Sequence, residues 1–145
     1  MKIFLDLDVL LDLLLGREPF LEDIKWILEL SLNNKYNLYT SSLAIANIHY
    51  LISKTLNTTQ AFDKVDKLLT FIKILNVGEN EVRSSISSKF KDFEDGIQNF
   101  CALNSNMGII ITRNIKDFKH SKLSILTPKE FIVNIKGKVP GYKTA

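Results

Sequence analysis

An α/β fold, with a parallel sheet covered on both faces by helices, is the architecture this sequence predicts. Two observations carry that expectation. Short apolar runs alternate along the chain with longer stretches patterned at three-to-four spacing. The runs are near-continuously apolar, as strands buried on both faces are, rather than alternating in and out. The scale agrees: 145 residues, 46% of them hydrophobic, bury one core and not two.

The elements follow in order. KIFLDLD opens the chain as a strand whose apolar character places it inside the sheet. VLLDLLLG behind it reads as a short helix closed by Gly16, for which Asp8 is a better N-terminal cap than Asp6. Phe20, Leu21, Ile24, Ile27, Leu28 and Leu32 form a helical stripe, with Pro19 suited to its first turn. LYT (38–40) is the next strand. Helices from Leu43 to Leu56 and from Gln60 to Ile72 lead to the strand IKILNV (72–77). Val82 to Phe90 and Phe93 to Leu103 are helical, and GIIIT (108–112) and SILT (124–127) are strands. Thr127-Pro128-Lys129-Glu130 is a capping box that opens a helix over Glu130 to Ile135. Phe4, Phe20, Phe62 and Phe71 are assigned to the core. Residues 1–135 form one domain, and the polar, Gly/Pro-bearing stretch 136–145 is a tail that frays.

Several chemistries are excluded by composition. The glycines at 16, 78, 96, 108, 137 and 141 assemble neither GxGxxG nor GxxxxGK[ST]. His49 and His120 are the only histidines, too few for a multi-histidine metal site. The lone Cys101 excludes an internal disulfide framework and a Cys-rich zinc site. Cys101 and His49 as nucleophile and base are outweighed by a buried cysteine on an apolar face with Phe93, Ile97 and Phe100. No apolar run reaches the roughly 18 residues of a membrane span, and the N-terminal residues lack the order of a signal peptide. The expectation is a soluble, cytoplasmic protein without membrane partners. A net charge of +3 permits a polyanionic partner without demanding one.

Three acidic groups do not fit a core. Asp6 ends an apolar strand, where ligands of open parallel sheets bind; it is a metal ligand or a helix cap. In KDFEDGIQ, Asp92, Glu94 and Asp95 open a helix, either offsetting its dipole or facing a cleft. In TRNIKDF, Asn114 and Asp117 lie just past GIIIT, as caps of a short turn or as ligands. Carboxylates converging without histidine or cysteine make an all-oxygen site suited to Mg²⁺ or Mn²⁺. Such a site can activate water against a phosphodiester.

With IFLDLDVLLDLLLGREP, TSSLAIANIHYLI, DFEDGIQ and IIITRNIKDF in this order, the sequence resembles the PIN domain, the metal-dependent ribonuclease fold of VapC-type toxins. The resemblance implies a three-layer α/β/α sandwich around a central parallel sheet and endonucleolytic cleavage of RNA with Mg²⁺ or Mn²⁺. It implies Asp6, Asp95 and Asp117 as catalytic carboxylates. Asp6 and Asp95 would be direct metal ligands, with Asn114, Asp117 and Asn47 completing the cation's surroundings and Asp8, Glu94 and Thr112 supporting them. The chain departs from the family in two places: Leu7 stands where a hydroxyl residue is usual, and Asn47 where the second acid, a glutamate, is usual. Asn47 offers an amide oxygen but removes a negative charge. Arg113, Lys116, Lys119 and Lys122 recur every three residues, either as RNA-phosphate contacts, foremost Arg113 and Lys116, or as a solvated face. Phe118 is a base-stacking or a buried aromatic.

The resemblance further implies an RNA substrate, an antitoxin protein partner and a homodimer. The departures at Leu7 and Asn47 support a second possibility, a degenerate PIN-fold module that binds RNA or protein without cleavage. A response-regulator-like phosphoacceptor domain also uses acids at strand ends, but GIIITRN and SILTPKE do not supply its lysine and aspartate in the required order.

Overall fold

Strands that are apolar on both sides are stable only where helices cover both faces, and the chain adopts that arrangement. The computed structural model describes residues 1–33 and 36–136. β1 (Lys2–Leu5), β2 (Asn37–Ser41), β3 (Ile72–Leu75), β4 (Ile109–Ile111) and β5 (Ser124–Leu126) form a parallel sheet in the order β3-β2-β1-β4-β5. The described helices are α1 (Leu7–Leu15), α2 (Leu21–Leu32), α3 (Ser42–Thr55), α4 (Thr58–Leu68), α5 (Glu79–Ile86), α6 (Phe93–Asn104) and α7 (Pro128–Lys136).

Alternate residues of β1 serve opposite faces. Ile3 and Leu5 join Leu38, Ile72 and Ile111 in a core with α1, α2, α3, α4 and α7. Phe4 joins Ile110, Cys101, Ala102 and Phe118 on the other side. The result is three layers, α/β/α. β1 is central, and the chain builds β2 and β3 to one side before returning to place β4 and β5 on the other. The connections therefore diverge between β1 and β4, which opens a crevice beyond their carboxyl ends. Leu5 pairs with Ile111, so Asp6 and Thr112 emerge side by side at that crevice.

Local chemistry sets the remaining geometry. Gly16 closes α1 at φ 64°, a conformation that strains any residue with a Cβ. The Ser41 hydroxyl accepts from the Ala44 N–H at 2.9 Å to cap α3, and donates to the Gln98 side chain of α6. That buried contact pins α3 to α6. Gly96 lets α6 approach α5: a Cβ there would lie 2.1 Å from Ser85 Oγ, the hydroxyl that donates to the Phe93 carbonyl at 2.8 Å.

Several expectations need correction. Asp6, not Asp8, caps α1: the helix starts at Leu7, Asp6 is extended, and its carboxylate accepts from the Leu7 N–H. Pro19 lies before α2 rather than in its first turn, because Phe20 is the capping position. α4 stops at Leu68, and a turn through Thr70 and Phe71 precedes β3, so the chain reverses four residues before Ile72. α5 spans Glu79–Ile86 rather than Val82 to Phe90, since Glu81 reaches back to the Gly78 N–H at 2.8 Å and starts it early. α7 begins at Pro128, with both arms of the Thr127–Glu130 box made. Phe4 is core, but Phe62 and Phe71 are 64% and 42% exposed, and Phe20 is half-buried. Phe62 lies on the outer side of α4 against His49, and Phe71 sits in the turn. Phe93 is half-exposed beside an α6 on which Ile97 and Cys101 are buried. The polar tail from 137 onward lies outside the described residues.

Candidate active site

The crevice collects side chains from the ends of β1 and β4 and from the starts of α1 and α6. Asp6 is buried; its Oδ1 accepts from the Leu7 N–H and its Oδ2 from the Thr112 hydroxyl, each at 2.8 Å. Burial, with the Asp8 carboxylate next, pushes its carboxyl up to about 7 against the pull of those two hydrogen bonds. Asp8 Oδ2 receives the Arg113 N–H at 3.1 Å and the Asn114 side-chain amide at 3.0 Å. Its other oxygen is buried without a hydrogen-bond partner among the described residues, and burial raises this carboxyl too. Asp8 thus ties the start of α1 to the loop after β4.

Asp95 faces the same space from α6. Its N–H is capped by Asp92 Oδ1 at 2.9 Å, but no described donor hydrogen-bonds to its carboxylate. Burial lifts it to about 7, and Asp92, Asp117, Asp8 and Glu94 add like-charge repulsion. Asn47, on α3, donates its amide to Glu94 Oε2 at 3.1 Å. Asn47 is therefore in direct contact with a carboxylate. Asp117 sits in a 3₁₀ turn (Ile115–Phe118) and lines a cavity of about 230 Å³ with Asp95, Lys91, Lys116, Lys119 and His120.

The structure thus draws Asp6, Asp8, Thr112 and Asn114 into one hydrogen-bonded network, sets Asp95 and Asp117 electrostatically against it, and places Asn47 and Glu94 at its margin. Two basic-face expectations change. Arg113 is bound to Asp12, with Nε at 2.6 Å and Nη2 at 3.2 Å, and its guanidinium lies 4.1 Å over the Phe20 ring. Its charge is committed inside the protein, which removes it as a free phosphate contact. Phe118 is buried among Phe4 and Ile110, so it cannot stack on a base. Lys116 and Lys119 border the Asp95 cavity, whereas Lys122 does not line it.

Sequence reasoning missed Asp12, Phe20 and Gly96. The signal for Asp12 was present: a carboxylate inside VLLDLLL must find a buried cation.

Among the described residues, no set of three His, Cys, Asp or Glu side chains stands together as a ready-made metal cage. Asp6 and Asp95 nonetheless suit a hard, hydrated cation, which takes one or two carboxylates and keeps several waters. Their donors are all oxygen, and Asp95 is crowded by the carboxylates of Asp92, Asp117, Asp8 and Glu94.

The PIN domain family model matches residues 2–116. The chain is 28% identical over 135 residues to Ribonuclease VapC1 of Aquifex aeolicus, covering 90% of this chain and 92% of that protein. Its fold is similar to a chain in the crystal structure of VapBC2 from Rickettsia felis bound to a DNA fragment from their promoter, with TM-score 0.68 and 23% identity over 87% of this chain and 97% of that one. A chain of the toxin–antitoxin complex from Klebsiella pneumoniae gives TM-score 0.66 and 22% identity, with the same shares covered.

Proposed function

The chain belongs to the PIN domain family, and from that premise we propose that it is an endoribonuclease dependent on Mg²⁺ or Mn²⁺, the toxin half of a toxin–antitoxin pair. The observation that carries this is the set of carboxylates at the sheet's switch point, two of them held near neutrality by burial and mutual repulsion. A fold would not retain such a cluster for stability.

In this proposal Asp6 and Asp95 hold the cation, with Asn114 and Asp117 at its periphery. When bound, the cation polarises the phosphodiester and makes a water acidic enough to attack it. Thr112 fixes the Asp6 oxygen by donating to Oδ2. Asp8 holds the Arg113–Asn114 backbone in place. Glu94, receiving the Asn47 amide, returns to this corner the negative charge that asparagine lacks. Lys116, exposed at the cavity of Asp95 and Asp117, would contact an RNA phosphate.

An antitoxin partner is proposed because the relatives named above include toxin–antitoxin complexes. A homodimer and a cytoplasmic location are proposed with it; among the described residues no helix is long and apolar enough to cross a membrane. The second possibility, binding without cleavage, keeps one observation in its favour, the amide at position 47. The test is purified protein with mixed RNA, with and without Mn²⁺. Cleavage that requires Mn²⁺ and is lost in Asp95→Asn and Glu94→Gln supports the proposal. RNA bound but uncleaved at saturating Mn²⁺ supports the binding module.

A further inference from the structure

A second cavity, of about 410 Å³, opens on the other side of the loop after β4, walled by Pro19, Phe20 and Pro128. That volume is in the range of sites for small organic ligands. Asn114 links it to the acidic crevice: this residue lines the cavity while its amide donates to Asp8. A group seated there is one side chain away from the carboxylates.

Two properties identify the occupant. The first is flatness. Arg113 and Phe20 are stacked on each other, and both line the cavity, a surface that accepts a planar π-system. The second is the polar edge. The carboxylate of Asp23, half-buried in the first turn of α2, has neither hydrogen bond nor ion pair among the described residues, and the exposed Lys129 stands at the same cavity. A carboxylate beside an ammonium is complementary to two adjacent N–H donors beside a carbonyl. Guanine presents that edge, with N1–H and the 2-amino group for the carboxylate and O6 for the lysine. Uracil offers one N–H between two carbonyls. Adenine and cytosine each offer an amino group beside a bare acceptor nitrogen. A peptide arginine would satisfy Asp23 but would meet Lys129 as a like charge.

We propose that this cavity is a nucleobase subsite that holds one unpaired guanine of the RNA beside the scissile phosphodiester. The proposal rests on the ribonuclease function above. It is tested with the full chain in EDTA, where fluorescein-labelled oligouridines carrying one central guanosine, adenosine or cytidine are titrated by anisotropy. The guanosine oligomer should bind about tenfold tighter than the others. Asp23→Asn should bring that ratio toward one, and Phe20→Leu should weaken every sequence, with thermal melting confirming that both variants fold. Equal affinities in the wild type, or a guanosine preference untouched by Asp23→Asn, would overturn the subsite. An arginine-bearing peptide that binds the cavity and loses affinity in Asp23→Asn, with RNA affinities equal, would assign it to protein and overturn the subsite too. Mn²⁺-dependent cleavage of mixed RNA by the same samples separates the two levels. Cleavage without a guanosine preference removes the subsite alone, whereas neither binding nor cleavage removes the ribonuclease function with it.

Discussion

Arg113→Met should be among the most destabilising single changes near the crevice, and its cost follows from what it leaves behind. The Asp12 side chain is 2% exposed and takes two bonds from the Arg113 guanidinium, at 2.6 and 3.2 Å. Methionine keeps an apolar stem near Phe20 and removes both bonds. A buried carboxylate stripped of its partner typically costs about 3–5 kcal/mol. Arg17 Nη1 stands 3.8 Å from the same carboxylate on a side chain that is 43% exposed, and it can move closer. The expected loss is therefore at the lower end, about 3 kcal/mol. For a chain of this length that is a fall of roughly 6–12 °C in Tm. The double variant Asp12→Leu/Arg113→Met replaces the pair with apolar groups and should return to within about 1 kcal/mol of wild type. Urea unfolding of the wild type, both single variants and the double variant completes the cycle. An Arg113→Met loss below about 1 kcal/mol would class the pair with weak surface bridges and refute the burial reasoning. A double variant as unstable as the two single losses summed would refute the coupling.

Three further outcomes are expected. Asp6 and Asp95 titrate near 7 in the folded chain against 3.8 ordinarily, so the native state binds more protons than the unfolded state between those values. Metal-free stability should therefore fall as pH rises through that window and level off above it, by up to about 4 kcal/mol for Asp6 and much less for the half-exposed Asp95; a urea midpoint in EDTA that is flat or rises from about pH 4 to 8 contradicts this. Mn²⁺ should raise Tm by binding the native state, and Asp6→Asn and Asp95→Asn should each shrink that rise while leaving metal-free stability level or higher; equal Mn²⁺ shifts in all three proteins would separate the two carboxylates. Gly96→Ala forces a methyl to within 2.1 Å of Ser85 Oγ and should cost about 1–3 kcal/mol by denaturant unfolding, an outcome that a neutral substitution would refute.

The sheet was legible because each strand contains a short apolar run, although burial on both faces holds for the central β1 and not for the partly exposed edge strands β3 and β5. Helix existence was equally legible; helix ends were not. The α4 stripe continues in pattern through Leu69 and Ile72, but the chain needs Thr70 and Phe71 to turn into β3, and pattern alone does not show where a turn must go. The start of α5 depended on the Gly78 N–H donating to the Glu81 side chain, a bond that Gly at the cap does not advertise. At the site, Asp6 and Asp95 were legible by position, since strand ends and helix starts meet at a switch point. The partner of Asp12 was not, because Arg113 is 101 residues away and joins it only once β1 and β4 are neighbours.

That pairing also sorts the acids of the crevice, which sequence position could not do. Asp12 and Asp8 are both tied to the loop after β4: Asp12 is neutralised by the Arg113 guanidinium, and Asp8 accepts the Arg113 N–H and the Asn114 amide on one oxygen. Their bonds hold Arg113 and Asn114 against α1. Asp6 has two donors, but burial outweighs them, as it does at Asp8, and Asp95 has no donor at its carboxylate among the described residues. Asp8 and Asp12 thus bind α1 to that loop, whereas Asp95, without a described donor, faces the space between. An acid whose charge the fold leaves uncompensated destabilises the empty chain, and the same charge becomes favourable when a cation enters. The lack of a described donor at Asp95, more than the number of acids nearby, is thus what sets this carboxylate, proposed above to hold a cation, apart from a structural one such as Asp12.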